Sequence, residues 1–475
     1  MSNQFDIVVI GAGPGGYIAA LKGAQKGANV AIVEKHHLGG TCLNYGCIPS
    51  KALLASSELL HKIKQASCLG VTVEGAVSYD WTKIQKRKDK VLSTLRGGIK
   101  GLFGARKVTL FSGTAKFRGP GKIQVTYADG STEAITGKHT IIASGSVPTK
   151  IPGWPTDTNL VCTSDEALHW NELPKSLLIV GGGVIGCEFA CMMHEYGVDV
   201  TVVEMMDGLL PGMERQLGMA LEKSLKKRGI KILTSVKVEA LTAQGNAVAA
   251  SISGQPELKV DKVLVAIGRR PNTEALGLDS IGLDTDRGFI AVNDRMQTSV
   301  AGVYCIGDAN GRCLLAHAAS AHGVTAVEDA LGHGKDLTLP VPGAVYTFPE
   351  VGAVGLTTQQ ANDQGIPVRV GEFPIGHLGK AMAVGEEFGF VRVVSHRDTD
   401  ALLGVHIIGH NATEVIEAAT AMLGQKVSTK DLGEMIFAHP TIGEAVKEAA
   451  EDVFSQALHL PPVQTVTVTG EVVEV

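Results

Sequence analysis

The chain has no excess of basic charge. Its 43 Lys and Arg stand against 48 Asp and Glu, a net charge of −5. General binding to nucleic acid or to an anionic membrane surface is therefore not expected. No apolar run approaches the roughly 18 residues of a membrane span. Residues Met1 to Asp6 show neither a secretory nor a transit pattern, so the expected compartment is the cytoplasm. Aromatic residues are scarce at 5%, and 18 prolines rule out a collagen-like or proline-rich chain. Eight cysteines in 475 residues are too few for a secreted disulfide framework. No cysteine follows Cys313. With 44% hydrophobic and 19% charged residues the chain is globular rather than disordered. Its length suggests about three or four domains. What it holds in excess is glycine, 58 residues, about 12% of the chain against a usual value of roughly 7%.

The glycines fall into a pattern. Phe5 to Ile10 is a short apolar run that reads as a strand buried on both faces. Gly11, Gly13 and Gly16 follow at once, then a helical stretch from Tyr17 to Gly27, then a strand from Asn29 to Val33 that ends at Glu34. Strand, glycine turn, helix, strand and acid make a dinucleotide-binding unit. The glycines let the backbone approach a pyrophosphate at a helix N-terminus, and Glu34 can accept hydrogen bonds from ribose hydroxyls.

At an offset of 170 the unit recurs. Gly11, Gly13, Gly16 and Glu34 reappear as Gly181, Gly183, Gly186 and Glu204, between strands expected at Leu177–Val180 and Asp199–Val203. Two units most economically mean two nucleotides. A carboxylate at Glu204 accepts from a ribose 2′-OH and repels a 2′-phosphate, and Met205 to Leu210 contain no Arg or Lys. NAD is favoured over NADP. Glu188 reads as an acid near a helix N-terminus, and Cys187 and Cys191 as packing thiols.

Between the units stands Gly39 to Lys51, GGTCLNYGCIPSK. On a regular helix, residues five apart such as Cys42 and Cys47 lie about 8–9 Å apart, beyond disulfide reach. Gly46 and Pro49 supply an irregular turn at the mouth of the next helix, whose dipole lowers thiol pKa values. Three readings stay open: a redox pair, half of a zinc site, or inert thiols. No nearby cluster completes four metal ligands, so no metal is expected, and glycine-rich flanks make poor core. Lys51 lies one helical turn beyond Cys47, on the same face.

Ile141 to Gly145, Val263 to Gly268 and Val303 to Asp308 read as further strands ending at glycine or acid. The expected domains are 1–149, a first nucleotide-binding part; 150–275, the second nucleotide-binding domain; 276–346, the rest of the first; and 347–475, an α+β domain. The last has strands within 347–357, 388–395 and 401–409 and helices at 412–423 and 444–458. It contains Phe437-Ala438-His439-Pro440-Thr441-Ile442-Gly443-Glu444. A Glu within reach of His439 would raise the basicity of the imidazole and fix its tautomer. Pro461 to Val475 carries no motif.

Four motifs thus stand in order: a glycine unit, the Cys42/Cys47 segment, a second glycine unit, and His-Pro-Thr…Glu. From about residue 5 to 458 the chain resembles the FAD-dependent pyridine nucleotide–disulfide oxidoreductases. That resemblance implies an α/β fold of two Rossmann-like dinucleotide-binding domains, for tightly held non-covalent FAD and for NAD, with a C-terminal dimerisation domain. It makes Cys42 and Cys47 a redox-active disulfide and pairs Lys51 with Glu188 near the flavin. It places Gly145, Asp308 and Ala316 against FAD and Gly268 against NAD. His317 lies beside Ala316 and reads as structural. Ser144 stands where family members often have Thr. His439, held by Glu444, becomes a base serving the disulfide of the other subunit, which requires a homodimer.

Ile48-Pro49-Ser50-Lys51 favours the branch that oxidises protein-bound dihydrolipoamide with NAD⁺. The implied partners are lipoyl domains and peripheral-subunit-binding domains of 2-oxo-acid dehydrogenase complexes, or the glycine cleavage system. Glutathione- and mercuric-reductase-like activities are the alternatives.

Overall fold

A computed structural model describes residues 3–155, 159–461, 465–468 and 471–474. Of the sequence features above, Met1 and Ser2 and, in the Pro461–Val475 tail, residues 462–464, 469–470 and 475 lie outside the described residues.

The first apolar run forms the strand Gln4–Ile10, with Ile7, Val8 and Val9 fully buried. It pairs in parallel with Val30–Glu34 on one side and Thr132–Ile142 on the other, which closes both edges, while Ile7 and Val9 pack into one apolar cluster and Phe5, Val8 and Ile10 into another, which closes both faces. Thr109–Ser112 extends the sheet beyond Val30–Glu34. The far edge of the long strand Thr132–Ile142 is shared. Its first half pairs antiparallel with Lys122–Thr126, which carries Thr114–Phe117, and its last three residues pair in parallel with Val303–Cys305. A segment 160 residues downstream thus completes the first sheet.

Five parallel strands make the second sheet, in the order Lys231–Leu233, Asp199–Val203, Ser176–Val180, Lys262–Val265, Val161–Thr163. A three-stranded antiparallel sheet of Val238–Gln244, Ala247–Ile252 and Leu258–Val260 lies beside it in sequence. The two nucleotide units are joined where Ser146–Pro148 pairs antiparallel with Arg269–Pro271.

The internal repeat holds in three dimensions. The helices after the two glycine turns, Pro14–Gln25 and Val184–Glu195, have 12 residues each and begin 170 residues apart. The first starts three residues earlier than the apolar pattern alone indicates, because Pro14 occupies the first helical position, where its missing N–H costs nothing. That helix crosses Ala316–Ala330 at very close range. A Cβ on Gly15 would lie 2.7 Å from the Ala319 carbonyl oxygen, and one on Gly323 would lie 2.5 Å from the Gly15 oxygen.

The C-terminal unit is a five-stranded antiparallel sheet, ordered Gly343–Val345, Glu350–Gly355, Leu402–Gly409, Phe390–His396, Val368–Pro374. Ala412–Gly424 and Glu444–Asp452 cover it with their apolar sides. Phe373, Val391, Val393, Val405 and Ile407 are fully buried, at about 1.5–3 kcal/mol each. The last helix ends at Asp452, six residues short of the expected 458. Ser455 takes a positive φ of 56° and turns the chain back toward the helix. In the tail, Thr465–Val468 and Glu471–Glu474 pair antiparallel. Among the described residues no helix is long and apolar enough to cross a membrane.

Candidate active site

A cavity of about 1560 Å³ is lined by both glycine turns. The strands Gln4–Ile10 and Ser176–Val180 both end on it, the position where open α/β sheets bind ligands. Gly11 and Gly181 have φ of +100° and +110°, and a Cβ on either would strike a carbonyl oxygen, Ala143 at 2.3 Å or Ala266 at 2.4 Å. Gly16 and Gly186 allow each helix to sit on its turn, since a Cβ there would lie 1.9 Å from the oxygen of Gly11 or Gly181. Gly13 and Gly183 begin the two helices without a side-chain cap and line the cavity. Chain neighbours and its own helix aside, the nearest described atom to a Cβ on Gly13 would be the Gly40 Cα at 3.9 Å, and a Cβ on Gly183 would meet nothing described within 4 Å. Two helix N-termini thus face the cavity with space in front of them, the arrangement a pyrophosphate requires.

Glu34 and Glu204 repeat one geometry. The Ala12 N–H donates to Glu34 at 2.7 Å and the His36 N–H at 2.8 Å. The Gly182 N–H donates to Glu204 at 2.6 Å and the Met206 N–H at 2.7 Å. Each carboxylate therefore braces its glycine turn, and both line the cavity, with acceptor capacity left for a ribose. No Lys or Arg stands within Met205–Leu210. Lys237, on a later loop, also lines the cavity. Its distance in sequence from Glu204 hid it.

On the first unit's side lie Gly145, with φ +69°, Asp308 and Ala316. Ser146 donates its hydroxyl to Asp308 at 2.5 Å and accepts from Arg269 Nε at 2.8 Å. Ser144 Oγ is buried and has no hydrogen-bond partner among the described residues, although the residue lines the cavity. An unpaired buried hydroxyl, open glycine turns and a bracing acid fit a dinucleotide such as FAD. Gly268, with φ +108°, lies on the second unit's side. His317 donates Nε2–H to the Pro342 oxygen at 2.8 Å, a structural bond.

The cysteines lie on two helices rather than one. Cys42 is in the short helix Gly40–Tyr45, and Cys47 is the first residue of Cys47–Gln65. Gly46 breaks the helix between them with φ −149° and ψ −110°. The break brings two sulfurs together that a continuous helix would hold apart. Both are free thiols in this structure. Cys42 hydrogen-bonds the Cys47 sulfur. That bond, with the Lys51 ammonium adding to it, holds the Cys47 thiol down to about 7 against the opposing effect of burial. The same bond, with burial, pushes the Cys42 thiol far up. The hydrogen bond biases Cys47 toward thiolate and Cys42 toward thiol.

Lys51 Nζ stands 2.8 Å from both oxygens of Glu188, across 137 residues of sequence. It also lies 4.3 Å from the centre of the Tyr346 ring, and the Tyr346 N–H donates to Glu188 at 3.1 Å. Tyr346 follows the strand Gly343–Val345, which begins four residues ahead of the expected boundary at 347, and brings the C-terminal sheet to the cavity wall. No motif marked it in the sequence. Cys187 and Cys191 are fully buried, as packing thiols are. Among the described residues no group of three or more His, Cys, Asp or Glu is placed to hold a metal ion.

His439 and Glu444 find each other. The imidazole Nδ1 is 2.9 Å from Glu444 Oε1, and the Thr441 N–H donates to Oε2 at 2.9 Å. Burial would raise the Glu444 carboxyl, but the Thr441 and His439 hydrogen bonds hold it below the usual range. The helix begins at Glu444 itself, four residues after Pro440. The His439 side chain is 78% exposed and does not line the cavity. Within one chain the base pair and the thiol pair do not meet.

Residues 5–323 match the family model described as pyridine nucleotide-disulphide oxidoreductase. Residues 341–450 match the model for the dimerisation domain of the same family. The dihydrolipoyl dehydrogenase of Bacillus subtilis is 41% identical over 475 residues, covering 97% of this chain and all of that protein. Its counterpart in Thermus scotoductus is 42% identical, covering 96% of this chain and 99% of the relative. Among solved structures, LpdA from Mycobacterium tuberculosis superposes with a TM-score of 0.87 at 27% identity, over 95% of this chain and 99% of that one. The HOCl-induced flavoprotein disulfide reductase RclA from Escherichia coli gives 0.82 at 26% identity, over 94% and 99%. With matches over nearly its whole length, and with its thiol pair set between two glycine turns, the chain belongs to the pyridine nucleotide-disulphide oxidoreductase family.

Proposed function

We propose that the chain oxidises protein-bound dihydrolipoamide to lipoamide and reduces NAD⁺ to NADH, as the flavoprotein component of a 2-oxo-acid dehydrogenase complex or of the glycine cleavage system. The observation that carries this reading is the polarised Cys42/Cys47 pair beside Lys51 and Glu188, in a cavity that both nucleotide units line. The relatives at about 40% identity bear the name of that activity.

In this reading the first unit holds FAD through Gly11, Gly13, Glu34, Gly145, Asp308 and Ala316. The second holds NAD through Gly181, Gly183, Glu204 and Gly268. When bound, FAD supplies the two-electron relay between the sulfur pair and the nicotinamide. The protein's own work is thiol exchange. His439 accepts a proton at Nε2 from one substrate thiol while Glu444 holds Nδ1. The substrate thiolate attacks Cys42 of the oxidised pair and releases Cys47 as a thiolate. The second substrate sulfur then attacks the first, closing the lipoamide ring and breaking the bond to Cys42, which departs and takes up the second sulfur's proton. The result is a Cys42 thiol beside a Cys47 thiolate, the arrangement that the Cys42 hydrogen bond and the Lys51 ammonium favour. One proton remains on His439 and passes to water.

The exposed His439 serves the sulfur pair of the other subunit in a homodimer, and lipoyl domains and peripheral-subunit-binding domains are the proposed partners. The proposed domain limits are 1–149 with 276–346, 150–275, and 347–475, supported by sheets that span 4–142 with 303–305, and 161–265. A cycling dithiol suits a reducing compartment, and the cytoplasm is the one proposed.

The test is a parallel NADH-dependent assay of the purified, FAD-loaded protein against lipoamide, oxidised glutathione and Hg²⁺. Lipoamide is expected to be reduced fastest; a preference for either rival would overturn the assignment.

A further inference from the structure

The C-terminal helix carries a second histidine–glutamate pair that thiol exchange leaves unused. Glu444 and Glu448 are one turn apart on Glu444–Asp452, so they share a face. Glu444 takes an imidazole Nδ1 on one oxygen and a backbone N–H on the other. Glu448 repeats this. His459 Nδ1 lies 2.6 Å from Oε1, and the His459 N–H reaches Oε2 at 3.3 Å. His439 approaches from before the helix. His459 approaches from after it, carried back by the turn at Ser455. The imidazoles are 78% and 70% exposed, while their carboxylates are 23% and 7% exposed. Neither Nε2 has a hydrogen-bond partner among the described residues.

We propose that His459, clasped by Glu448, is a positioning residue for His439, a second dyad whose charge sets the proton affinity of the first. The inference rests on the function proposed above. Its physical basis is direct. A positive charge on His459 competes with His439 for the Glu444 carboxylate and repels a proton on His439. Burial would raise Glu444; the Thr441 and His439 hydrogen bonds oppose it, and the charges of both His439 and His459 act on it in the same downward sense.

The elements packed on this helix are Val368–Pro374, Phe390–His396 and Thr429–Glu434. Their titratable and charged groups are Arg369, Glu372, Arg392, His396, Lys430, Asp431 and Glu434; the helix itself adds Lys447, Glu451 and Asp452. Most are compensated. Arg392 pairs with Glu372 at 2.9 Å, Lys447 with Glu451 at 2.8 Å, and Arg369 with Asp400 at 3.9 Å. Asp452 accepts the Glu372 N–H at 2.8 Å, Asp431 the Ser428 hydroxyl at 2.6 Å, and His396 the Asp398 N–H at 3.2 Å. Lys430 and Glu434 are opposite in sign. His459 with Glu448 is the dyad that shares the face of His439 with Glu444.

The experiment is the pH profile of kcat/KM for dihydrolipoamide with NAD⁺, on the full-length FAD-loaded enzyme. His459→Gln removes a positive charge and is expected to move the acid limb to higher pH by roughly half a unit, the effect of one charge across several ångströms of hydrated protein. Glu448→Gln removes a negative charge and is expected to move it to lower pH. His459→Lys keeps the charge and is expected to leave the limb near its original place. A purely structural role would lower activity without opposite displacements. Unmoved limbs, or limbs that move together, overturn the proposal, and Glu448→Gln with His459→Lys decide it if His459→Gln fails to fold. His439→Gln is measured alongside. If it keeps full turnover, the base assignment itself has failed. If it collapses while the other limbs stay still, only the second dyad is lost.

Discussion

Lys51 grips Glu188 through both carboxylate oxygens at 2.8 Å, and with the Lys64–Glu195 pair, also at 2.8 Å, it ties the thiol-bearing helix Cys47–Gln65 to the helix Val184–Glu195 of the second nucleotide unit. The Lys51 and Glu188 side chains are 32% and 6% exposed, so Lys51 is screened only in part. Its ammonium also helps hold the Cys47 thiol down, second to the Cys42 hydrogen bond among the influences that lower it.

Lys51→Met is therefore expected to raise the Cys47 pKa. In the reduced wild-type protein, iodoacetamide labelling of Cys47, followed peptide by peptide in a mass spectrometer, should rise as pH passes about 7. In the variant the same rise should come roughly one unit higher. An identical labelling curve would show that Lys51 does not act on the sulfur.

His439 is exposed and makes its hydrogen bond at the surface, so replacing it costs little packing. His439→Gln is expected to lower dihydrolipoamide turnover by about 10²–10⁴-fold, the usual contribution of a positioned base. Tm should change by no more than about 2 °C, as for a surface site. A large fall in Tm would point to a structural histidine instead.

Glu204 has two duties. Glu204→Gln should weaken the preference for NADH over NADPH, since the repelling charge is gone and Lys237 lines the same cavity. The variant should also lose about 1–3 kcal/mol of stability, because the Gly182 and Met206 N–H groups lose a charged acceptor. The checks are the ratio of kcat/KM for the two coenzymes and urea unfolding. A wild-type enzyme equally efficient with both would remove the discriminating role of Glu204.

Buried His322 accepts the Gly307 N–H at 3.3 Å, at the turn that carries Asp308. Burial, helped by Arg312, lowers its pKa to about 4, against about 6.5 for an exposed imidazole. Its native pKa is depressed, so the unfolded chain takes up a proton that the folded one refuses. Stability from this group is intact above pH ~6.5 and falls as pH drops toward ~4, by a few kcal/mol at most. His322→Gln should flatten that part of the curve of unfolding free energy against pH. An unaltered slope between those pH values would count against the buried neutral state.

Much of this was legible in the chain itself. The two glycine turns could be read because a tight approach of backbone to backbone admits no other residue, and the repeat at 170 survives as two 12-residue helices that begin 170 residues apart. The Cys42/Cys47 segment announced itself because Gly46 stands where a helix must break. The C-terminal helix was read too long, since its apolar spacing continues past Asp452 while the backbone turns at Ser455. Tyr346 and Lys237 carried no local signal. Each reaches the cavity from another part of the fold.

Local chemistry is written in short runs, so the sequence by itself determined the two nucleotide units, the paired sulfurs, and a histidine with its acid five residues on. Those features need only neighbours along the chain. Tertiary structure decided how Val303–Cys305 pairs into a sheet begun at Gln4 and that one thiol polarises the other. It also decided the 2.8 Å contact of Lys51 with Glu188, which short-range pattern leaves open and only the family resemblance implied. Such contacts depend on how separate segments pack, which no single stretch of residues encodes.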